Sequence, residues 1–102
     1  TDEDLKYLDQ QTFLEAFEGV PQSEISQADF QNGIDIINLL ANKTNFLKSN
    51  GEARRALSEN SISVNKTKVN EKYIIGGQDL IDEQYILLQR GKKNYFIVKV
   101  VP

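Results

Sequence analysis

A short segment near the middle of the chain carries the signals of a helix with a defined start. Ser49 is followed three residues later by Glu52, the spacing of a capping box. In that motif the serine hydroxyl accepts from the Glu52 amide, and the Glu52 carboxylate reaches back to the Ser49 amide. The pattern predicts a helix over residues 50–59. Helical periodicity gives it a buried face of Ala53, Ala56 and Leu57 and an exposed face of Arg54, Arg55 and Ser58.

Three further capping signals precede this helix. Thr12 with Glu15 has capping-box spacing and predicts a helix over 13–18, which Gly19 can end in the left-handed conformation. Ser26 with Asp29 predicts a short helix that ends before residues 32–33. Asp35 can cap a helix over 36–42, whose apolar face consists of Ile36, Ile37, Leu39 and Leu40. We expect Phe46 and Leu47 to fill the core in the turn that follows.

The second half of the chain has the composition of strands. β-Branched and aromatic residues predict strands at 62–64, near 69, at 73–75, at 84–89 and at 94–101. Turns at 65–68 and 90–93 separate neighbouring strands. We therefore predict an α+β fold, in which short helices pack on a small mixed or antiparallel β-sheet. The aromatic residues of these strands are Tyr73, Tyr85, Tyr95 and Phe96. They could stack on unpaired bases, but aromatic residues in alternating strands are more often buried, and we assign all four to the core.

The chain is long enough for one domain and apolar enough to fold. Its 102 residues are 39% hydrophobic, and a domain of this size buries roughly two-thirds of its unfolded surface. We predict an acidic arm and linker over 1–25, joined to an upstream part of a longer protein, and a domain over 26–102. No apolar run reaches the roughly 20 residues of a membrane span.

The charge is divided unevenly along the sequence. The formal net charge is −3, yet residues 1–35 hold nine acidic residues and one basic residue. Residues 43–72 hold seven basic and three acidic residues, and four more cations follow residue 89. Local potential, not total charge, governs attraction of a polyanion. The basic part of the chain is therefore compatible with an anionic partner.

Catalysis within these residues is not expected. The chain has no His and no Cys, so the usual general bases, nucleophiles and zinc ligands are missing. The acidic runs at 2–4 and 82–83 are typical of a solvated surface. Residues 76–77, a Gly-Gly pair, lack the Lys-Ser/Thr continuation of a phosphate loop and predict a turn. We predict no catalytic residue, no metal site and no cofactor for this chain.

Cations cluster at a helix start and at two turns, where they can contact phosphates. Arginine binds phosphate oxygens in pairs, and lysine serves as a mobile charge. Ordinary solubilising charges are the alternative, with Arg54 paired to Glu52 or Glu59. Asn65 either sets the turn geometry or contacts RNA. The candidate RNA-binding residues are Lys48, Ser49, Arg54, Arg55, Asn65, Lys66, Lys68, Arg90, Lys92 and Lys93.

These motifs resemble a known family. The Ser-x-Gly-Glu-Ala-Arg-Arg-x-Leu helix, with Asp-Ile-Ile-Asn-Leu-Leu before it and Ile-Ser-Val-Asn after it, resembles the RNA-binding domain named after ribosomal protein S-four. Residues 13–21 resemble the linker that enters the C-terminal domain of bacterial tyrosyl-tRNA synthetases, and residues 87–96 resemble that domain's closing hairpin. The resemblance covers nearly the whole chain. It departs at Lys66, where many relatives have Gly, and at residues 33–35, where many have a basic helix start.

The resemblance implies a non-catalytic domain with the alpha-L RNA-binding fold. It would grip tRNA-Tyr around the variable arm and anticodon stem for a catalytic domain that lies elsewhere in the protein. Tyrosine activation, ATP and Mg²⁺ would belong to that catalytic domain. The implied partners are tRNA-Tyr and the rest of the synthetase chain, in a homodimeric, cytoplasmic protein without membrane contact.

Two alternatives remain at this point. The same fold could serve another RNA-modifying or ribosome-associated protein. The chain could also be a protein-interaction domain that uses the acidic arm with Leu5, Tyr7 and Leu8.

Overall fold

The computed structural model describes residues 9–102, which form four short helices, a five-stranded mixed sheet and a two-stranded sheet. The predicted α+β class is confirmed. The predicted contacts of Leu5, Tyr7 and Leu8 lie outside the described residues. The helices are α1 (Gln10–Ala16), α2 (Gln27–Phe30), α3 (Ile36–Asn38), which continues as a π-helical turn over Leu39–Lys43, and α4 (Asn50–Ser58). The strands are β1 (Gln22–Ser26), β2 (Ile34–Asp35), β3 (Ile62–Val64), β4 (Thr67–Lys68), β5 (Ile74–Ile75), β6 (Tyr85–Arg90) and β7 (Asn94–Val101).

The helix starts follow short polar side chains, as expected from the sequence. The Asp29 amide donates to Ser26 Oγ at 3.2 Å, and the Asn38 amide donates to Asp35 Oδ1 at 3.1 Å. Both predicted caps are confirmed. Each cap satisfies one of the amides that the first helical turn leaves without a backbone partner.

The first helix begins earlier than predicted. Asp9, not Thr12, is the N-cap, because the Asp9 carboxylate accepts from the Thr12 amide at 2.8 Å. This bond holds the pKa of Asp9 below its ordinary value. A carboxylate is a charge-assisted acceptor and is favoured at the positive end of the helix dipole. The helix also ends earlier than predicted, at Ala16 with Phe17 as its C-cap, and Gly19 lies in the following turn at a φ of +86°.

The segment expected to be an extended linker forms an edge strand of the main sheet. Strand β1 runs parallel to β7, with Gln22 opposite Ile97 and Ser26 opposite Val101. The strand order is β1-β7-β6-β3-β4, and the other neighbouring pairs are antiparallel. The division of the chain at residue 25 stays a prediction, but the strand before it belongs to the same sheet as the strands after it.

The central strands bury both faces of the sheet. Along β6, Ile86 and Leu88 belong to the large core formed with helices α2 to α4. Tyr85 and Leu87 point to the other side, where they join a second core around Phe13 of α1. The ring centroids of Phe13 and Tyr85 are 5.2 Å apart. Helix α1 is therefore packed on the sheet, and Tyr85 is a core residue as predicted.

The π-helical turn closes the segment that leads into α4. Thr44 donates from its amide and its hydroxyl to the Leu39 carbonyl, at 3.2 and 2.8 Å. The predicted α-helix over 36–42 therefore widens in its second half. Leu47 is buried and Phe46 is half-buried against the main core, as expected. These contacts fix the chain just before the start of α4.

The closing hairpin lies against the end of α4. Strands β6 and β7 pair from Tyr85 to Arg90, with Arg90 opposite Asn94. Gly91, at a φ of +69°, begins the turn and donates its amide to the Ser61 carbonyl at 2.8 Å. This hydrogen bond ties the basic turn to the residues that follow α4.

Candidate nucleic-acid interface

The start of α4 combines a serine cap with an ion pair. The Glu52 amide donates to Ser49 Oγ at 3.1 Å, as the capping box predicts. The return bond differs from the prediction, because the Glu52 carboxylate accepts from the Lys48 amide at 3.3 Å rather than from that of Ser49. The other oxygen of this carboxylate binds Arg90, whose Nη1 lies 2.6 Å from Glu52 Oε1.

This ion pair joins the helix start to the closing hairpin. The hydrogen bond from Arg90, helped by the Lys48 amide, holds the pKa of Glu52 below its ordinary value. Both side chains are partly buried, with 31% of Arg90 and 26% of Glu52 exposed. Partial burial strengthens such a pair relative to a fully exposed one. Glu52 therefore holds the guanidinium of Arg90 beside α4.

A groove lies beside this pair and is defined here as the α4–hairpin groove. Cationic, aromatic and aliphatic side chains contribute to it together. Lys48 and Lys93 are exposed, whereas Phe46, Tyr95 and Phe96 are half-buried. Two carboxylates, Glu18 and Glu52, are also part of its lining. The principal lining residues are Val20, Pro21, Phe46, Lys48, Glu52, Arg90, Lys93, Tyr95 and Phe96.

The paired arginines of α4 lie outside this groove and are exposed. At 100° per residue, Arg55 projects from the flank that carries Glu52, and Arg54 from the flank that carries Asn50. The alternative pairing of Arg54 with Glu52 or Glu59 is not formed. Within residues 9–102, the ion pairs are Arg90–Glu52 and Lys43–Asp29. Both guanidiniums are thus available to a ligand, on different flanks.

Asn65 was a candidate RNA-binding residue, but the structure places it in the interior. Its side chain is only 1% exposed and is held between two other segments. Nδ2 donates to the Asp79 carbonyl at 2.6 Å, and Oδ1 accepts from the Leu87 amide at 2.9 Å. Of the two roles considered for Asn65, the structure supports the one in turn geometry, because its backbone has a φ of +51°.

The turn that follows brings Lys66 to the edge of the groove. Lys66 has a φ of +74°, a conformation that favours glycine and carries strain for other residues. Its Nζ donates to the Tyr95 hydroxyl and lies 4.4 Å from the centre of the Tyr95 ring. The contact with the ring is a cation–π interaction. Lys66, which stands where many relatives have Gly, therefore adopts the left-handed conformation.

The remaining candidates are more dispersed. Lys68 lies on the edge strand β4, where it pairs with Ser63 and is exposed. Lys92 is exposed in the closing turn, and Ser49 is exposed but serves as the cap. The structure thus brings together part of the candidate cations: Lys48, Arg90 and Lys93 share the groove, and Lys66 contacts Tyr95 at its edge.

Phe46, Tyr95 and Phe96 line the groove without having been predicted as site residues. Tyr95 follows Lys93 of the closing turn by two residues, and this closeness to a candidate cation could have indicated a site residue. Their partial exposure depends on packing between distant segments. In the part of the chain that the structure describes, no cluster of three acidic, His or Cys side chains could hold a metal ion. None of the described helices has the length and apolarity to cross a membrane.

The fold and the groove define the chain as a small α+β domain with a cationic cleft beside a capped helix. Residues 12–98 match the family model of the tyrosine–tRNA ligase SYY-like C-terminal domain, and the chain belongs to this family. It is 59% identical over 101 residues to the tyrosine–tRNA ligase of Flavobacterium johnsoniae and 59% identical over 100 residues to that of Flavobacterium psychrophilum. It is 38% identical over 101 residues to the tyrosine–tRNA ligase of Porphyromonas gingivalis.

The alignments cover 98–99% of this chain but only 23–24% of those three ligases. The chain thus corresponds to the C-terminal domain of an aminoacyl-tRNA synthetase, as the resemblance implied. This family membership excludes the alternative that the domain belongs to another RNA-modifying or ribosome-associated protein. The protein-interaction alternative stays a hypothesis, since its residues lie outside the described ones.

Proposed function

We propose that this chain grips tRNA-Tyr for a tyrosine–tRNA ligase, mainly through phosphate contacts. The observation that carries the proposal is the convergence of Lys48, Arg90 and Lys93 on one groove. Arginine and lysine at a concave surface focus positive potential and neutralise phosphates. Arg54, Arg55, Lys66, Lys68 and Lys92 extend the cationic surface, and Ser49 supports it by capping α4.

The chemistry of the ligase belongs to the rest of the protein in this proposal. ATP, Mg²⁺ and tyrosine would bind to a catalytic domain outside these residues, in a homodimeric protein of the bacterial cytoplasm. The chain supplies positioning: it holds the long variable arm and anticodon stem so that the acceptor end reaches the catalytic site. Binding energy from a remote domain can favour the reaction in this way.

Salt dependence of binding tests the proposal. We expect the affinity of the 102-residue chain for tRNA-Tyr to fall steeply with salt, because phosphate contacts release counterions. Lys48→Gln with Lys93→Gln should weaken binding and reduce the slope of log K against log salt by about one per lost contact. Arg54→Ala with Arg55→Ala should do the same if the exposed face of α4 also contacts phosphates.

Lys72→Gln with Lys99→Gln is a matched control, since both lysines lie outside the groove and outside the predicted site. The control should leave the slope nearly unchanged. A tRNA without a long variable arm should bind more weakly in an NMR titration. Binding that is insensitive to salt and to the groove variants would contradict the proposal, and a stable dimer in sedimentation without RNA binding would favour the protein-interaction alternative.

A further inference from the structure

The α4–hairpin groove offers aromatic side chains beside its cations. The ring centroids of Phe46 and Phe96 are 5.2 Å apart, and their planes are tilted by 36°. Both rings are half-buried, pack against the main core and line the groove. Lys48 and Lys93 are exposed residues of the same lining. A ligand with one flat ring system and one anionic group would match both features.

We propose that this groove binds a single unpaired nucleotide of an RNA, with its base on Phe46 and Phe96 and its phosphate on Lys48 and Lys93. The inference rests on the proposed function and specifies which part of the RNA this groove takes. Bases that are free of a helix stack on aromatic side chains, and the neighbouring phosphate requires a cation.

The composition of the groove favours one nucleotide over a continuous duplex. In an A-form helix the bases are stacked on one another, so the aromatic rings would meet sugars, phosphates and base edges but no free base face. The groove has two carboxylates beside its three cations. The Glu52 charge is engaged by Arg90, whereas Glu18 is exposed and would repel a row of phosphates. One phosphate placed between the two lysines avoids that repulsion.

Two RNA duplexes of equal length test the inference, one perfectly paired and one with a single bulged adenosine. Binding of each to the 102-residue chain is measured at one salt concentration. We expect the bulged duplex to bind roughly five- to hundredfold tighter, which corresponds to one base stacked on an aromatic surface. Equal affinities of the two duplexes would overturn the inference, and this comparison needs no variant that could misfold.

Variants then locate the base. Phe46→Leu and Phe96→Leu keep apolar volume in the core but remove the flat ring, and each should reduce the advantage of the bulged duplex. Phe30→Leu is the matched control, because Phe30 belongs to the same main core but does not line the groove. An advantage that survives both groove variants, or one that Phe30→Leu abolishes equally, would overturn the assignment.

Failure of the inference and failure of the proposed function give different results. If the chain binds tRNA-Tyr and both duplexes with salt-dependent but equal affinity, only the single-nucleotide site is excluded. If it binds neither tRNA-Tyr nor either duplex, both proposals are contradicted.

Discussion

At the scale of single residues, Arg90 and Glu52 determine how the cationic surface is held. Arg90 ends strand β6, and Glu52 lies in the first turn of α4, 38 residues earlier. Their hydrogen bond at 2.6 Å joins the start of α4, which follows Lys48, to the hairpin that carries Arg90 and Lys93. Arg90 is therefore ordered before any ligand binds, which lowers the conformational entropy lost on binding.

The Glu52–Arg90 pair predicts a pH dependence of stability. The folded-state pKa of Glu52 is lowered from 4.5, chiefly by the Arg90 hydrogen bond. Its contribution to the free energy of unfolding is therefore complete above about pH 4.5 and is lost as pH falls through the folded-state pKa. Glu52→Gln should be less stable than wild type at pH 7, and the difference should shrink toward pH 3.

Urea unfolding across this pH range measures the effect. Glu59→Gln is the control, because Glu59 is an exposed glutamate at the end of the same helix. A Glu52→Gln difference that stays constant from pH 7 to pH 3 would show that the carboxylate charge does not contribute.

Replacement of Asn65 by alanine is expected to lower the free energy of unfolding strongly. Asn65→Ala removes hydrogen bonds to the Asp79 carbonyl and the Leu87 amide and leaves both buried groups without these partners. We expect a loss of about 2–4 kcal/mol, since each unsatisfied buried group costs roughly 1–3 kcal/mol. Urea unfolding is the measurement, with Thr67→Ala as an exposed control in the next strand. A loss below about 0.5 kcal/mol would contradict the structural role.

At the scale of elements, the start of α4 has only one of the two hydrogen bonds of the expected capping box. The Ser49 hydroxyl bonds the Glu52 amide as predicted, but the carboxylate of Glu52 is turned toward Lys48 and Arg90. The helix start and its buried face were predictable because they depend on neighbours within one turn. The direction of the carboxylate was not, because its strongest partner lies on another element.

The cap formed by Ser49 is expected to contribute moderately to the stability of the fold. Ser49→Ala should cost about 1 kcal/mol, because it leaves the Glu52 amide without its acceptor. Ser49→Asp should retain stability, since a carboxylate is also a good cap. Urea unfolding distinguishes the two variants. Equal stability of wild type and Ser49→Ala would exclude a contribution from the cap.

At the scale of the whole molecule, the second core makes the N-terminal segment part of the fold. Phe13 is fully buried against Tyr85, and β1 pairs with β7 along five residues. The described part of the acidic segment, residues 9–26, is therefore packed on the sheet that also carries Arg90. Net charge alone does not describe such a molecule, because its carboxylates and cations occupy different segments.

This arrangement predicts the result of truncation. A chain that begins at Ser26, the predicted start of the domain, lacks α1 and most of β1. It exposes Tyr85, Leu87 and Ile97 of the second core and leaves β7 as an edge strand. We expect it to lose cooperative unfolding in urea, compared with the 102-residue chain. A truncated chain that unfolds cooperatively with similar stability would support the predicted boundary at residue 25.

Much of the fold could be predicted because its signals are local. The caps at Ser26, Asp35 and Ser49 lie three residues from the amides they bind, and the β6–β7 hairpin joins strands across a short turn. The strand at β1 escaped prediction because it pairs with β7, more than 70 residues later. Its burial depends on that partner and not on its own sequence pattern.

The sequence by itself determined three of the four helix starts, the buried face of α4, the hairpin and the cations that a phosphate-binding surface requires. Only the tertiary structure decided which of these cations meet, that Asn65 points inward, and that Phe46 and Phe96 stand beside Lys48 and Lys93. The physical reason is the distance along the chain between the residues that interact. Hydrogen bonds within one helical turn follow from neighbouring residues, whereas a groove between α4 and the closing hairpin exists only after distant segments have packed.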